Sequence, residues 1–427
     1  MGSDRAAHAC EREWMRLRVV LSGVSLGVRL GALVALMMVV YLVDQGMLVH
    51  VPAGTSTMTA VGNLFLGANP SVPVSRKTTL FSMREFSRMC CDVGPTVYRN
   101  PSRYEKTFAR FPGGERGIYS FKAALQQHKR MSGGNRRTLK VFAPFAQLSE
   151  FIAEFFLELD ADERVVLVTG QEDCGPAELF GYGRTECELD MPITLKQFLD
   201  DNRLVKWFTQ NFDLENCQSI SFFPDACQHV LLNENQKRKV MLLPIGLDFH
   251  TMAEKNFFLT RVEPMLQEKQ LVAARKTPFA QKDIKAIAIF AVSNKKPDRV
   301  NLMSVLLTKQ DCTIRPSLKV DRDRFWKLVD ENLFVFSPQG HGLDTHRVYE
   351  VLALHSIPVV RSSPLDALYK QFPIIIVNSW DDFRSCDALE GYKQEIIDRF
   401  GAEPFANPTV VRKLTLSFWK ATIDEFT

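Results

Sequence analysis

No strong excess of either charge marks this chain. Its 53 Lys and Arg stand against 49 Asp and Glu over 427 residues, leaving +4. The surplus is spread along the chain, so no basic stripe for nucleic acid is implied. No internal repeat is visible, and no stretch has the composition of a disordered or fibrous protein. The nine Cys and eight His show no metal-ligand spacing, so no metal is expected. Asp160-Ala161-Asp162 is an Asp-x-Asp match, but it sits in a polar turn between a helix and a strand, at the wrong end of a sheet; it is read as chance. The Asn-x-Ser/Thr matches at Asn69, Asn100 and Asn407 all carry Pro in the middle, so none is a usable glycan acceptor.

Long apolar runs are scarce too. One stands out, residues 19–43, broken only by Arg29. It exceeds the ~20 residues needed to cross a bilayer. An Arg within it costs about 2.5–3.5 kcal/mol, which the many Leu and Val offset. Arg5, Arg12, Arg16 and Arg18 precede it, and positive flanks stay cytoplasmic. The expectation is a cytoplasmic tail (1–18), a transmembrane signal-anchor (19–43) and a lumenal remainder. No small-residue cleavage site follows Tyr41, which argues against a removed signal peptide. Residues 44–75 hold no Lys, Arg or Glu beyond Asp44 and read as a stem. Eight Cys follow the anchor, an even number that permits disulfides. The adjacent Cys90 and Cys91 are expected to be bridged elsewhere or simply buried.

What remains is too long for one ordinary domain. Apolar β-rich runs at 138–142, 164–169, 205–209 and 240–245 alternate with helical stretches such as 146–159 and 194–200. Helical residues at about 252–275 lead to a second series of strands at 286–291, 333–336, 357–360 and 374–377. Strands alternating with helices imply parallel sheets. The fold class is therefore α/β, with two Rossmann-like domains (76–275 and 276–427) facing across a cleft. A final helix, about 408–426, is expected to return to the first domain.

The most informative stretch is FSPQGHGLDTHRVYEVLALHSIPVV, residues 336–360. It reads as a strand, a turn with Gly340 and Gly342, a helix over about 344–354, and another strand. A helix start presents unpaired N–H groups and partial positive charge to anions. Glycines admit a ligand close to the backbone. Arg347 adds a fork for phosphate oxygens. Glu350, three residues on, shares its face and can accept from sugar hydroxyls. Asp344 and His346 complete the cluster. Phosphate plus ribose is what a nucleotide-sugar site must hold.

SPQGHGLDTHRVYEVL followed by IPVVRSSPLDALY resembles the exostosin-type glycosyltransferases and their fucosyl- and ribitol-xylosyltransferase-like relatives. Weaker likenesses lie in VLVTGQEDC, VKWFTQNFD, LLPIGLDFHT and FAVSNKKPDR. The resemblance implies a GT-B fold and a nucleotide-sugar donor, with a glycan or glycoprotein acceptor. It implies a site in the Golgi or ER membrane, no nucleic-acid partner, and no cofactor beyond the donor substrate. Gln339 stands where many relatives have Arg, His341 where many have Asn, and Tyr349 where Trp is common. Gln339 keeps a second reading open: an inactive relative acting as a binding or partner protein.

Sugar transfer from such a donor needs positive charge or N–H donors for the diphosphate and an acceptor for the ribose. In an inverting reaction it also needs a base for the incoming hydroxyl. The donor-binding candidates are Gly340, Gly342, Asp344, His346, Arg347, Glu350, Arg299 and Arg361, with Lys296 adding charge. The base should face them from the first domain. Glu172 and Asp173, just beyond a strand, are the candidates, followed by Asp248 and His250.

Overall fold

Val-, Leu- and Phe-rich runs build two sheets in the computed structural model. It describes residues 79–87, 90–93, 121–132, 138–170, 173–181, 187–212, 232–248, 264–292, 296–307, 312–315, 320–383 and 386–427. Strands β1 (Thr138–Pro144), β2 (Arg164–Gly170), β3 (Leu204–Thr209) and β4 (Val240–Leu242) pair in parallel in that order. Strands β5 (Asp283–Ile287), β6 (Thr313–Ile314), β7 (Asn332–Phe336), β8 (Ile357–Arg361) and β9 (Ile375–Val377) form a second parallel sheet. Its order is β6-β5-β7-β8-β9. The protein is thus α/β with two parallel sheets. The proposed tail, anchor and stem lie outside the described residues; among those described, no helix is long and apolar enough to cross a membrane.

The two faces of the first sheet sort by strand periodicity. Val141, Val165, Leu167 and Trp207 face a Phe-rich layer of Phe151, Phe155, Phe156 and Phe198. Phe142, Val166, Val168 and Phe208 point the other way, into a core continuous with the second sheet. Both sheets therefore belong to one compact unit, Arg76–Thr427. The core that Phe142 and Phe208 enter runs across 275/276 into the second sheet.

Several expected elements are cut short for local reasons. The fourth strand, read as 240–245, stops at Leu242 because Pro244 has no N–H and the Ile245 N–H is taken by Asp344 (2.8 Å). The helix read as 146–159 is wound in three ways, ending as a π-turn over Ile152–Phe156. The wider turn helps Phe151, Phe155 and Phe156 all reach the buried layer. The last helix is two, Pro408–Lys413 and Leu416–Asp424. The break is at Thr415, which bridges to Leu80 and accepts from Phe418 N. Its end packs on the first sheet: Lys140 Nζ meets Asp424 at 2.6 Å, and the Phe208 and Phe426 rings lie 5.7 Å apart. Two-residue β6 gave no sequence signal. Disulfides join Cys174 to Cys187 and Cys312 to Cys386, while Cys90 is paired with its neighbour Cys91. The expectation that this adjacent pair is bridged elsewhere or unbridged is corrected.

His355 sits left-handed (φ 58°) between the His346–Ala353 helix and β8. Its ring stacks on Phe405, and its Nε2 accepts from Arg275 Nη1 at 2.6 Å. A proton on Nε2 would face that guanidinium. Burial, then the charges of Arg275 and Lys282, pull its pKa from 6.5 to about 4, with Asp330 opposing. The unfolded chain therefore takes up this proton before the folded one. Stability present above pH 6.5 is lost as the pH falls toward 4. Urea midpoints at pH 7 and pH 4.5 should differ by less in His355→Asn than in the parent. The difference should be on the order of 2 kcal/mol or less, since the ring is partly solvated.

Candidate active site

In an open α/β sheet, ligands bind beyond the carboxyl ends of strands where the order reverses. In the second sheet that point lies between β5 and β7, because β6 flanks β5 on one side and β7 on the other. The segments leaving these two strands meet there. Asp298, in the Pro297–Leu306 helix, is buried and accepts from Gln339 N at 2.9 Å and from Trp380 Nε1 at 2.9 Å. Arg361 Nε, at the end of β8, lies 3.2 Å from the same carboxylate. Arg299 Nε donates to the Gln339 carbonyl at 2.9 Å. The turn before Gly340 is thus clamped from both sides.

Cations converge on this turn. Arg299 is lowered in pKa by its burial, with Asp298 opposing. Burial, and next the charge of Arg299, bring Arg347 down to about 10, with Glu350 opposing. Arg347 stays protonated at neutral pH. Lys296 is lowered by burial and then by Arg299, with Asp173 pulling the other way. Each cation has one carboxylate within Coulombic reach: Asp298 for Arg299, Glu350 for Arg347 and Asp173 for Lys296. Arg347 rests over the Phe325 ring at 5.5 Å. Grouped, partly desolvated cations repel one another, and a bound anion relieves that cost.

The helix start beside them is open. Thr345 occupies its N-cap position but makes no capping bond. Its hydroxyl is buried without a hydrogen-bond partner among the described residues. The first-turn N–H groups are therefore not covered by a side chain. At Gly340 an added Cβ would meet Arg299 Nη2 and Thr345 Cγ2 only at 3.5 and 3.6 Å. Gly340 borders the cationic space, not a tight contact.

The rest of the stretch makes contacts to the first sheet. Gly342 abuts the first sheet: a Cβ there would lie 2.9 Å from the Asp173 carbonyl and 2.9 Å from Asn211 Nδ2. Its lack of a side chain admits a neighbouring loop, not a ligand. Asp344 is held by the protein itself. Its buried carboxylate takes four protein donors: Ile245 N (2.8 Å), Tyr349 OH (2.8 Å), Thr345 N (2.9 Å) and Tyr369 OH (2.8 Å). Its own N–H donates to Asn211 Oδ1 at 2.9 Å. Asn211, left-handed at φ 49°, follows β3. His346 Nδ1 lies 2.7 Å from the Gly246 carbonyl, beyond β4. The cleft expected between the sheets is bridged here by direct contact of their carboxyl-end loops.

Glu350 is buried, and burial first, then Asp248, raise its pKa, with Arg322, His346 and Arg347 opposing. Arg322 Nη2 sits 3.2 Å from Glu350 and 3.8 Å from Asp248. Of the base candidates, Asp173 is exposed, beside Gly342 and within Coulombic reach of Lys296. Glu172 and His250 lie outside the described residues. Asp160 and Asp162 fall at the amino end of β2, away from this edge.

Sequence reading missed Asp298, Thr345, Asn211 and Arg322. Only Thr345 left a signal, as a Thr directly before a helix. The others act through contacts 28 to 133 residues distant in sequence.

No family model matches the chain, and no curated protein matches it. Among solved structures, it is similar to a glycosyltransferase from Rickettsia africae, at 10% identity and a TM-score of 0.29, over 68% of this chain and 99% of that one. It is also similar to an Escherichia coli structure titled trehalose-6-phosphate bound with UDP-2-fluoro glucose. There the identity is 12% and the TM-score 0.29, over 72% of this chain and 73% of the other. Likenesses of this size carry no weight for fold or activity.

Proposed function

We propose that the chain is a nucleotide-sugar-dependent glycosyltransferase of GT-B type, resembling the exostosin-type enzymes. It moves a hexosyl or pentosyl group to a glycan or glycoprotein acceptor. The observation that carries this reading is the cationic cluster of Arg299, Arg347 and Lys296 beside an uncapped helix start at a strand-order reversal. Such a site suits a diphosphate, because N–H groups and guanidinium forks bind phosphate oxygens. They also receive the charge that develops on a nucleoside diphosphate as it leaves. Calorimetry with UDP and GDP on the detergent-solubilised full chain tests it. Micromolar binding of one of them is expected; no binding of either would end the reading.

Within this reading Glu350 holds the donor ribose, with Arg322 keeping its carboxylate in place. Glu350→Gln keeps the shape but weakens the acceptor. KM for the donor should rise about tenfold while kcat changes less. Steady-state rates with the donor chosen by calorimetry decide; an unchanged KM would leave Glu350 as a partner of Arg322 only.

Residues 19–43 are proposed as a signal-anchor in the Golgi or ER membrane, with the two-sheet unit in the lumen. In sealed microsomes that unit should resist added protease until detergent is present.

A further inference from the structure

His346 and Arg347 are neighbours at the start of one helix, yet they face different partners. Successive helical side chains diverge by about 100°. Arg347 lies over Phe325 within range of Arg299. His346 reaches instead to the other sheet, with Nδ1 at 2.7 Å from the Gly246 carbonyl. A carbonyl can only accept, so Nδ1 carries the proton, and in the neutral ring Nε2 keeps its lone pair. That nitrogen has no hydrogen-bond partner among the described residues. The ring is partly exposed. A backbone carbonyl that fixes tautomer and orientation leaves an imidazole ready to take a proton.

We infer that His346 is the general base of the transfer, an assignment that rests on the donor site proposed above. Nε2 takes the proton from the acceptor hydroxyl as its oxygen bonds to the anomeric carbon. The anomeric bond to the leaving oxygen breaks on the opposite side, and its electron pair departs on the nucleoside diphosphate. Arg299, Arg347 and the helix start receive that charge. The imidazolium then releases its proton to water. The reaction therefore inverts the anomeric carbon. His346 lies in Coulombic reach of Glu350 on its own helix, and that carboxylate also meets the charges of Arg347, of Arg322 on the Arg322–Glu331 helix, and of Asp248 beyond β4.

His346→Asn is the discriminating variant, because its side-chain N–H can still reach the Gly246 carbonyl while the basic nitrogen is gone. Full-length parent and variant are compared with UDP- and GDP-sugars and simple alkyl glycosides as acceptors. In the variant kcat should fall 10²- to 10⁴-fold, with the Kd of UDP or GDP changed less than about threefold. The acid limb of the parent's kcat profile should vanish from the residual activity. Proton NMR of the parent's product should show an inverted anomeric centre, a readout that needs no variant to fold. Near-parental kcat, an unchanged acid limb or a retained configuration would each overturn the assignment while leaving the donor site standing. Failure of the parent to bind either nucleotide would remove both.

Discussion

Arg347→Ala should abolish sugar transfer, lowering kcat/KM by 10³-fold or more, which is about 4 kcal/mol or more of transition-state stabilisation. The guanidinium sits at the cationic turn beside Arg299, with its pKa held near 10 by burial and by that neighbour. Its attraction to a diphosphate grows as the leaving group gains charge, so the loss falls on turnover as well as on binding. Arg347→Lys should recover only part, because a point charge lacks the two-pronged fork. Folding should show the opposite sign. Removing a desolvated cation relieves repulsion on Arg299, so the thermal midpoint without nucleotide should hold or rise. Added UDP or GDP should raise the parent's midpoint and not the variant's. A variant that loses stability and keeps turnover would make Arg347 a structural residue.

Asp344→Ala should be the most damaging change to the fold at this site. It strips an acceptor from Ile245 N, Thr345 N, Tyr349 OH and Tyr369 OH in a buried position. Orphaned buried donors cost about 1–3 kcal/mol each where water cannot reach them. Allowing for partial relaxation, the loss should total roughly 3–5 kcal/mol, measured as the urea midpoint. Tyr349→Phe and Tyr369→Phe each remove one donor and leave the carboxylate three, so each should cost only about 1 kcal/mol. The bond from Ile245 N to the carboxylate joins the two sheets, so Asp344→Ala should also loosen the Gly342–Asp173 contact and raise hydrogen exchange around residues 342–346. A midpoint unchanged within 0.5 kcal/mol would show the clasp to be dispensable.

How much was legible depended on how local the cause was. Strands β1, β2, β3, β7 and β8 are short continuous apolar runs, and a parallel sheet buried on both faces needs that pattern. They were readable within a residue or two at each end. The helix Leu195–Asp200 lies within the stretch read as helical at 194–200, and in the structure Thr194 and Gln197 close its start with a reciprocal cap. Strand β4 and the broken final helix were misjudged because Pro244, Asp344 and Leu80 end them, and two of those three act from far away in the chain. Two-residue β6 is held only by its neighbour β5.

Within residues 340–350 the sequence alone determined that glycines, an acid, a His, an Arg and a Glu cluster at a helix start. Chemistry of that kind is set by residue type and by the 3.6-residue period. Only the tertiary structure decided the division of labour. Gly340 and Arg347 face the cationic turn with Arg299, while Gly342, Asp344 and His346 face the loops after β2, β3 and β4. The reason is geometric. A helix points its side chains around a full circle, and which arc meets a second sheet depends on where that sheet sits. Here it is fixed by contacts spanning 99 to 133 residues, which no local pattern encodes.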